Sequence, residues 1–206
     1  MSGMTTPIQF YTHPISGHCH RVELLLSMLG LPYERVEVNL LAGEQRQPDF
    51  RAKNALGQVP VLEDGDVRLA DSNAILVYLA LRYDDSGRWL PREPVPAARV
   101  QRWLSIAAGE LVRGPGQLRL HALLKAPVDR AYAERMAETL FSLLEDTLVR
   151  TPFLTGTTPT IADLAMYAYT ARAPEGGISL DRYATVRAWH ARVEALPAFV
   201  PMASAA

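Results

Sequence analysis

NALGQVPVLEDGDVRLADSNAILVYLALRY, residues 54–83, holds a proline-led strand, a turn, a second strand and a helix start in one run. Proline cannot donate to a sheet ladder, so Pro60 belongs at the first residue of its strand or at an edge. Either place leaves the backbone of Val59 free of sheet neighbours. An Xaa-Pro bond takes the cis form at modest cost, and a cis bond here would turn both polar groups of Val59 outward. Asp64-Gly65 suits a type I′ hairpin, pairing Val61 to Glu63 with Asp66 to Leu69 antiparallel. Ser72 then falls at a helix start, where unpaired amides and the positive dipole end favour a carboxylate. Free backbone beside a carboxylate pocket describes a site for a small peptide.

Outward from that stretch the chain reads as two architectures. Ile8 to Tyr11 is an apolar strand, His13-Pro14 breaks it, and from Cys19 the apolar positions Val22, Leu25, Leu26 and Leu29 recur at helical spacing until Gly30. Tyr33 to Val38 alternates as a second strand, so a crossover helix joins parallel neighbours. Leu40 to Lys53 is polar and weakly helical. A βαβ half followed by ββα is a thioredoxin-like order, expected over residues 1–83.

Asp84 to Pro96 crowds Gly87, Pro91, Pro94 and Pro96 together, marking a linker over residues 84–95. Beyond it no strand pattern survives, so residues 96–206 read as an all-helical bundle domain. Ala97 to Lys125 is helical with a break at Gly114-Pro115-Gly116. Asp129 to Arg150 is amphipathic. Thr160-Ile-Ala-Asp163 forms a capping-box variant before a helix that should be buried on most sides, and Leu180 to Leu196 adds a last helix stopped by Pro197.

Composition narrows the function classes. Lysine and arginine total 21 against 22 acids in 206 residues, so no strong field favours nucleic acid or an anionic membrane. One cysteine excludes an intrachain disulfide and fits a reducing compartment. With no long uncharged apolar run and a short, polar Met1 to Pro7, the reading is a cytoplasmic protein.

The run GQVPVLEDGDVRLADSNAI resembles the glutathione-binding segment of the glutathione S-transferases, especially bacterial, serine-type, phi-like and theta-like members. The resemblance implies the glutathione transferase fold, glutathione as co-substrate, and conjugation to an electrophilic apolar small molecule. It places Val59 and Pro60 against the cysteinyl backbone of glutathione and Asp71 and Ser72 at its γ-glutamyl end. Gln58 and Gln45 would meet the glycine end. The offset from Ser16 to Val22 is similar to that between active-site serine and helix valine in phi-like and delta-like members, and TxxD before the buried helix resembles the start of the family's second-domain central helix. A homodimer is implied too.

Each candidate also has a plainer reading. Ser16, between a strand end and a helix start, could merely cap the helix; as a catalytic donor it would hold the glutathione sulfur as thiolate. Lowering a thiol from ~8.5 by ~2 units requires roughly 2.7 kcal/mol. One charge-assisted hydrogen bond of ~1.5–3 kcal/mol and a helix dipole of ~0.3–1 kcal/mol suffice. No GxSxG elbow surrounds it, which argues against a hydrolase serine.

Cys19, in Ser16-Gly-His-Cys19, resembles a Cys-x-x-Cys whose first thiol is missing. It is either a buried apolar residue or the attacking group. His13, His18, Cys19 and His20 lie close in sequence, but residues 18, 19 and 20 diverge by about 100° each on a helix, so no metal is expected. His18 remains a candidate to tune the thiol. Lys53 is a candidate carboxylate partner, and Asp64-Gly65-Asp66 a solvated turn. Tyr11, Leu111 and Arg113 are candidates to line an apolar substrate site between the domains, with the loop Ala173 to Gly177 nearby.

Two rival readings stay open. Ser16, Cys19, Arg21 and Val22 partly match the motif of the zeta-type, maleylacetoacetate-isomerase-like members, whose second serine is replaced by Gly17; Arg113 or Arg172 facing Ser16 would favour it. A peroxidase activity is another enzyme alternative. A non-catalytic scaffold of the same fold is the alternative from another class.

Overall fold

The computed structural model describes residues 7–203; the outermost ends of the two expected domains, 1–6 and 204–206, lie outside them. The first half runs β1 (Ile8–Thr12), α1 (Gly17–Met28), β2 (Tyr33–Glu37), α2 (Pro48–Arg51), β3 (Val61–Asp64), β4 (Val67–Ala70) and α3 (Ser72–Tyr83). The strands form one sheet in the order β2-β1-β3-β4, with β1 parallel to β2 and antiparallel to β3, and β3 antiparallel to β4. This is the expected thioredoxin-like arrangement.

Strand alternation sets the two faces. Ile8, Phe10 and Leu62 join the main core beneath α1 and α3. Tyr11 and Val61, directly opposite each other, turn the other way onto Phe50 of α2. Residues 40–53 are helical only in pieces, a 3₁₀ turn at Glu44–Arg46 and then α2.

Three sequence expectations change in detail. Asp64 pairs with Val67, so the hairpin loop is Gly65-Asp66. Gly65 takes φ 57° while Asp66 keeps a negative φ, which fits a type II′ turn and not type I′. Pro60 does not start an edge strand; it stands just ahead of β3, an inner strand, where its missing N–H interrupts no ladder. The linker is shorter than 84–95, because α4 begins at Pro94. Prolines in a first turn cost nothing there, since those amides lack intrahelical partners anyway.

The second half is helical: α4 (Pro94–Ala108), a π-helical turn (Val112–Gly116), α5 (Gln117–Leu124), α6 (Arg130–Leu148), α7 (Ile161–Ala171) and α8 (Ala184–Glu194). The expected break at residues 114–116 is that π turn. A Cβ at Gly114 would stand 2.7 Å from the Ala137 amide, so the glycine lets α6 cross in close contact. Asp129 caps α6 through the Tyr132 amide at 3.0 Å.

Helix α7 is buried along nearly its whole length and touches α1, α3, α4 and α8. Its start is a capping box. The Asp163 carboxylate is fully buried and accepts from the Thr160 amide at 2.9 Å, the Leu154 amide at 3.0 Å and the Trp189 indole at 2.9 Å. One apolar core runs without a break from Phe10 and Leu62 of the sheet through α7 to Trp189. The last described residues fold back across it, with the Val200 carbonyl 2.7 Å from His20 Nε2 and the Ala198 carbonyl accepting from Ser27 Oγ at 2.8 Å.

Burial holds His190 at about 4, well below the ordinary 6.5. Unfolded, this ring takes a proton below 6.5; folded, it stays neutral down to about 4, so the stability it contributes is lost as pH falls through that window. The destabilisation caused by His190→Gln should therefore shrink between pH 6.5 and pH 4.5, by roughly 1–2 kcal/mol. Urea unfolding at the two pH values reads the difference.

Candidate functional site

Sheet register assembles the site. Tyr11 pairs with Val61, and Val61 with Ala70. One step further toward the same end of the sheet come Thr12, Pro60 and Asp71, side by side. The starts of α1 and α3 and the Val59-Pro60 segment thus share one rim, although more than 50 residues separate the first from the last. The Val59-Pro60 bond is cis. Neither the amide nor the carbonyl of Val59 has a partner among the described residues.

At the start of α1, Ser16 Oγ accepts from the Cys19 amide at 3.3 Å. The capping reading of Ser16 is therefore correct, yet it uses only a lone pair of the hydroxyl. The proton remains free to be donated outward, so cap and donor are compatible roles. Cys19 is fully buried. Burial pushes its thiol up, against the lowering influence of the Ser16 and Thr12 hydroxyls. A neutral, buried thiol is a poor nucleophile, which removes the support for Cys19 as the attacking group.

At the start of α3 the capping residue is Asp71. Its carboxylate accepts from the Asn73 and Ala74 amides, both at 2.9 Å, while its backbone sits at φ 71°. Ser72 is the first helical residue, and its amide alone in that turn lacks a partner among the described residues. The Ser72 hydroxyl is 4 % exposed and lies 3.3 Å from both Arg21 Nη1 and His18 Nδ1.

Arg21 was visible in the sequence only as part of the isomerase-like motif. Its guanidinium is fully buried and donates to Asn73 Oδ1 at 2.8 Å, but Nε and Nη2 have no partner among the described residues. Burial lowers it to about 10, so it stays a cation at neutral pH. His18, lowered to about 3 mainly by burial and then by Arg21, is neutral and can accept the Ser72 proton. A buried cation at the positive end of a helix, with no carboxylate bonded to it, makes this corner attractive to an anion.

The helical domain closes the rim with Tyr169 of α7, whose ring meets the His18 ring at a centroid distance of 5.1 Å. A Cβ at Gly17 would fall 2.8 Å from that ring. A second serine at position 17, as in the isomerase-like motif, would have to displace that ring.

Other candidates lie elsewhere. Tyr11 faces α2, where its hydroxyl donates to Glu63 at 2.8 Å and its ring meets Phe50, so it does not border the helical domain. Leu111 is fully buried core, and Arg113 is exposed on the π turn. Arg172 is engaged by Glu175 at 3.3 Å and by the Met202 carbonyl. Lys53 is taken by Glu63 at 3.0 Å and lies over the Tyr11 ring. Gln58 is exposed, its carbonyl held by Asn54 at 2.8 Å; Gln45 is half-buried, with Oε1 unpartnered. Among the described residues no cluster of His, Cys, Asp and Glu suits a metal, and His18 and His20 turn to different partners.

Comparison with known proteins agrees with the fold. The glutathione S-transferase N-terminal domain matches residues 6–81 and the C-terminal domain residues 124–200. The chain belongs to the glutathione S-transferase family. It is 35 % identical to glutathione S-transferase 3 of Zea mays, covering 94 % of this chain and 91 % of that one. A crystal structure of a glutathione S-transferase from Pseudomonas fluorescens superposes with a TM-score of 0.89 at 36 % identity, over 97 % of this chain and 100 % of that one. A glutathione transferase homolog from Drosophila mojavensis with bound glutathione gives 0.84 at 27 % identity, over 93 % and 89 %.

Asp71 combines a cap with a backbone conformation that suits glycine. Asp71→Ala should lose ~0.5–2 kcal/mol of stability in urea unfolding. Asp71→Gly should lose less, because glycine relieves the positive φ.

Proposed function

We propose that this chain is a serine-type glutathione transferase whose rim of Ser16, Val59 and Ser72 binds glutathione and whose Ser16 hydroxyl holds the sulfur as thiolate. The observation that carries the reading is the convergence, at one end of the sheet, of a free Val59 backbone, a free Ser72 amide and the Ser16 hydroxyl. Val59 offers one N–H and one C=O to the cysteinyl backbone of the tripeptide. Asp71 keeps one carboxylate oxygen clear for the γ-glutamyl ammonium. The Ser72 amide takes its carboxylate, and the Ser72 hydroxyl turns its proton from His18 to that carboxylate on binding, with Arg21 donating into Ser72 from below. Gln58 and Gln45 border the glycine end.

The thiol proton leaves to solvent, and the serine proton then bonds the sulfur anion. The thiolate attacks an electrophilic apolar compound in the cleft between the domains, forming the C–S bond as the carbon's bond to its leaving group breaks and that group departs with the electron pair. Holding both reactants together contributes as much as the activation. The isomerase reading loses ground, since Gly17 is walled by Tyr169, Arg172 is engaged by Glu175 and Arg113 is solvent-exposed.

A homodimer is proposed through the outer face of α3 and α4. There Val77, Leu81, Leu90, Ala97 and Ala98 line an apolar groove, with Leu81 58 % exposed. A cytoplasmic location is proposed with it; no described helix is long and apolar enough to cross a membrane.

The test is the titration of bound glutathione, followed by thiolate absorbance. In wild type the thiol should titrate well below ~8.5, and in Ser16→Ala return toward that value with kcat reduced ~10–100-fold. An unchanged value in Ser16→Ala, with activity lost instead in Cys19→Ala, would reassign the sulfur's partner. Ser72→Ala should raise KM for glutathione by roughly 10–100-fold with little change in kcat, since it removes binding common to ground and transition states.

A further inference from the structure

Arg119 of α5 is 4 % exposed and reaches out of the helical domain to the loop that carries Ser16. Its Nη1 donates to the Ile15 carbonyl at 2.7 Å, across 104 residues of sequence. Its Nε donates to Glu175 Oε2 at 2.6 Å, and the other Glu175 oxygen accepts from Arg172 Nη1 at 3.3 Å. A Cβ at Gly176 would stand 2.8 Å from the Arg119 amide, so the loop bearing Glu175 is pressed against α5. Nη2 is buried with no partner among the described residues.

A guanidinium buried this deeply is costly unless it is paired, and a leucine would fill much of the same volume. What the charge adds is direction. The Ile15 carbonyl belongs to the peptide plane that leads into Ser16, and the Ser16 amide donates to His13 at 3.0 Å, closing a tight turn. Fixing that plane fixes the backbone from which the Ser16 hydroxyl projects.

We propose that Arg119 is a positioning residue for Ser16: held by Glu175, it pins the Ile15 carbonyl and aims the Ser16 hydroxyl at the glutathione sulfur. The inference rests on Ser16 being the sulfur's donor. It makes thiol activation a property of both domains, although the sulfur-contacting residue lies in the first. Arg119 touches neither reactant.

The experiment uses the full chain and four variants: Arg119→Gln, Arg119→Lys, Glu175→Gln and, as a control, Arg130→Gln, which breaks only the exposed pair with Glu134. Bound glutathione is titrated by thiolate absorbance, kcat and KM are measured against one electrophile, and thermal unfolding is followed in parallel. Arg119→Gln should raise the bound thiol by about one pH unit and lower kcat about tenfold, with KM for glutathione within about twofold. Arg119→Lys should recover part of both, because one ammonium cannot span carbonyl and carboxylate as the planar fork does. Glu175→Gln should shift both in the same direction by less, and remains readable if Arg119→Gln does not fold. Arg130→Gln should match wild type.

A depressed thiol titration in wild type that the Arg119 and Glu175 variants share, with only the melting temperature lowered, would overturn the positioning role alone. An ordinary titration in wild type would overturn the Ser16 reading and this inference with it.

Discussion

Antiparallel pairing of β3 with both β1 and β4 is the constraint on which the molecule's chemistry depends. Strands have a side-chain period of two, so a slip of one residue in either ladder would turn Val61 toward the main core and Leu62 toward α2. The same slip would carry Pro60 away from Thr12 and Asp71. A buried Phe10 and Leu62 on one face and the Tyr11, Val61 and Phe50 cluster on the other hold the register. Hydrophobic sorting across a four-stranded sheet thus places polar backbone at its rim.

Electrostatics at that rim are arranged by burial more than by ion pairing. Arg21 sits under the first turn of α3, bonded to Ser72 and Asn73, where helix dipole and guanidinium have the same sign. A buried cation in such a place is costly without negative charge beside it. His18, neutral beside it, adds no further charge and keeps an acceptor facing Ser72. The Asp71 cap spares the apparatus by using its own carboxylate on two amides while leaving that of Ser72 free.

Much of this was legible in the chain. The strand order, the crossover helix, the proline before a strand, the breakers between the halves and the Thr160 to Asp163 capping box all carry local signals, and each lies within a few residues of where it was read. The hairpin type was misread because Asp-Gly identifies a turn without fixing which residue is its first corner. Tyr11 was misplaced because a half-buried strand residue can face either layer, and only Phe50, brought over by the polar 40–53 segment, settles which. Asp71-Ser72 was read as a helix start, but not the positive φ that Asp71 accepts as its cap, which sequence does not reveal. Arg119 left no trace, since a bond spanning 104 residues has no periodicity to betray it.

The segment Ala198 to Met202 supplies a last consequence. Backbone carbonyls of Ala198 and Val200 are gripped by side chains of α1, the carbonyl of Met202 by Arg172, and one apolar core joins sheet to bundle. Residues 198–202 therefore bridge the two folding patterns, which share one covered apolar surface.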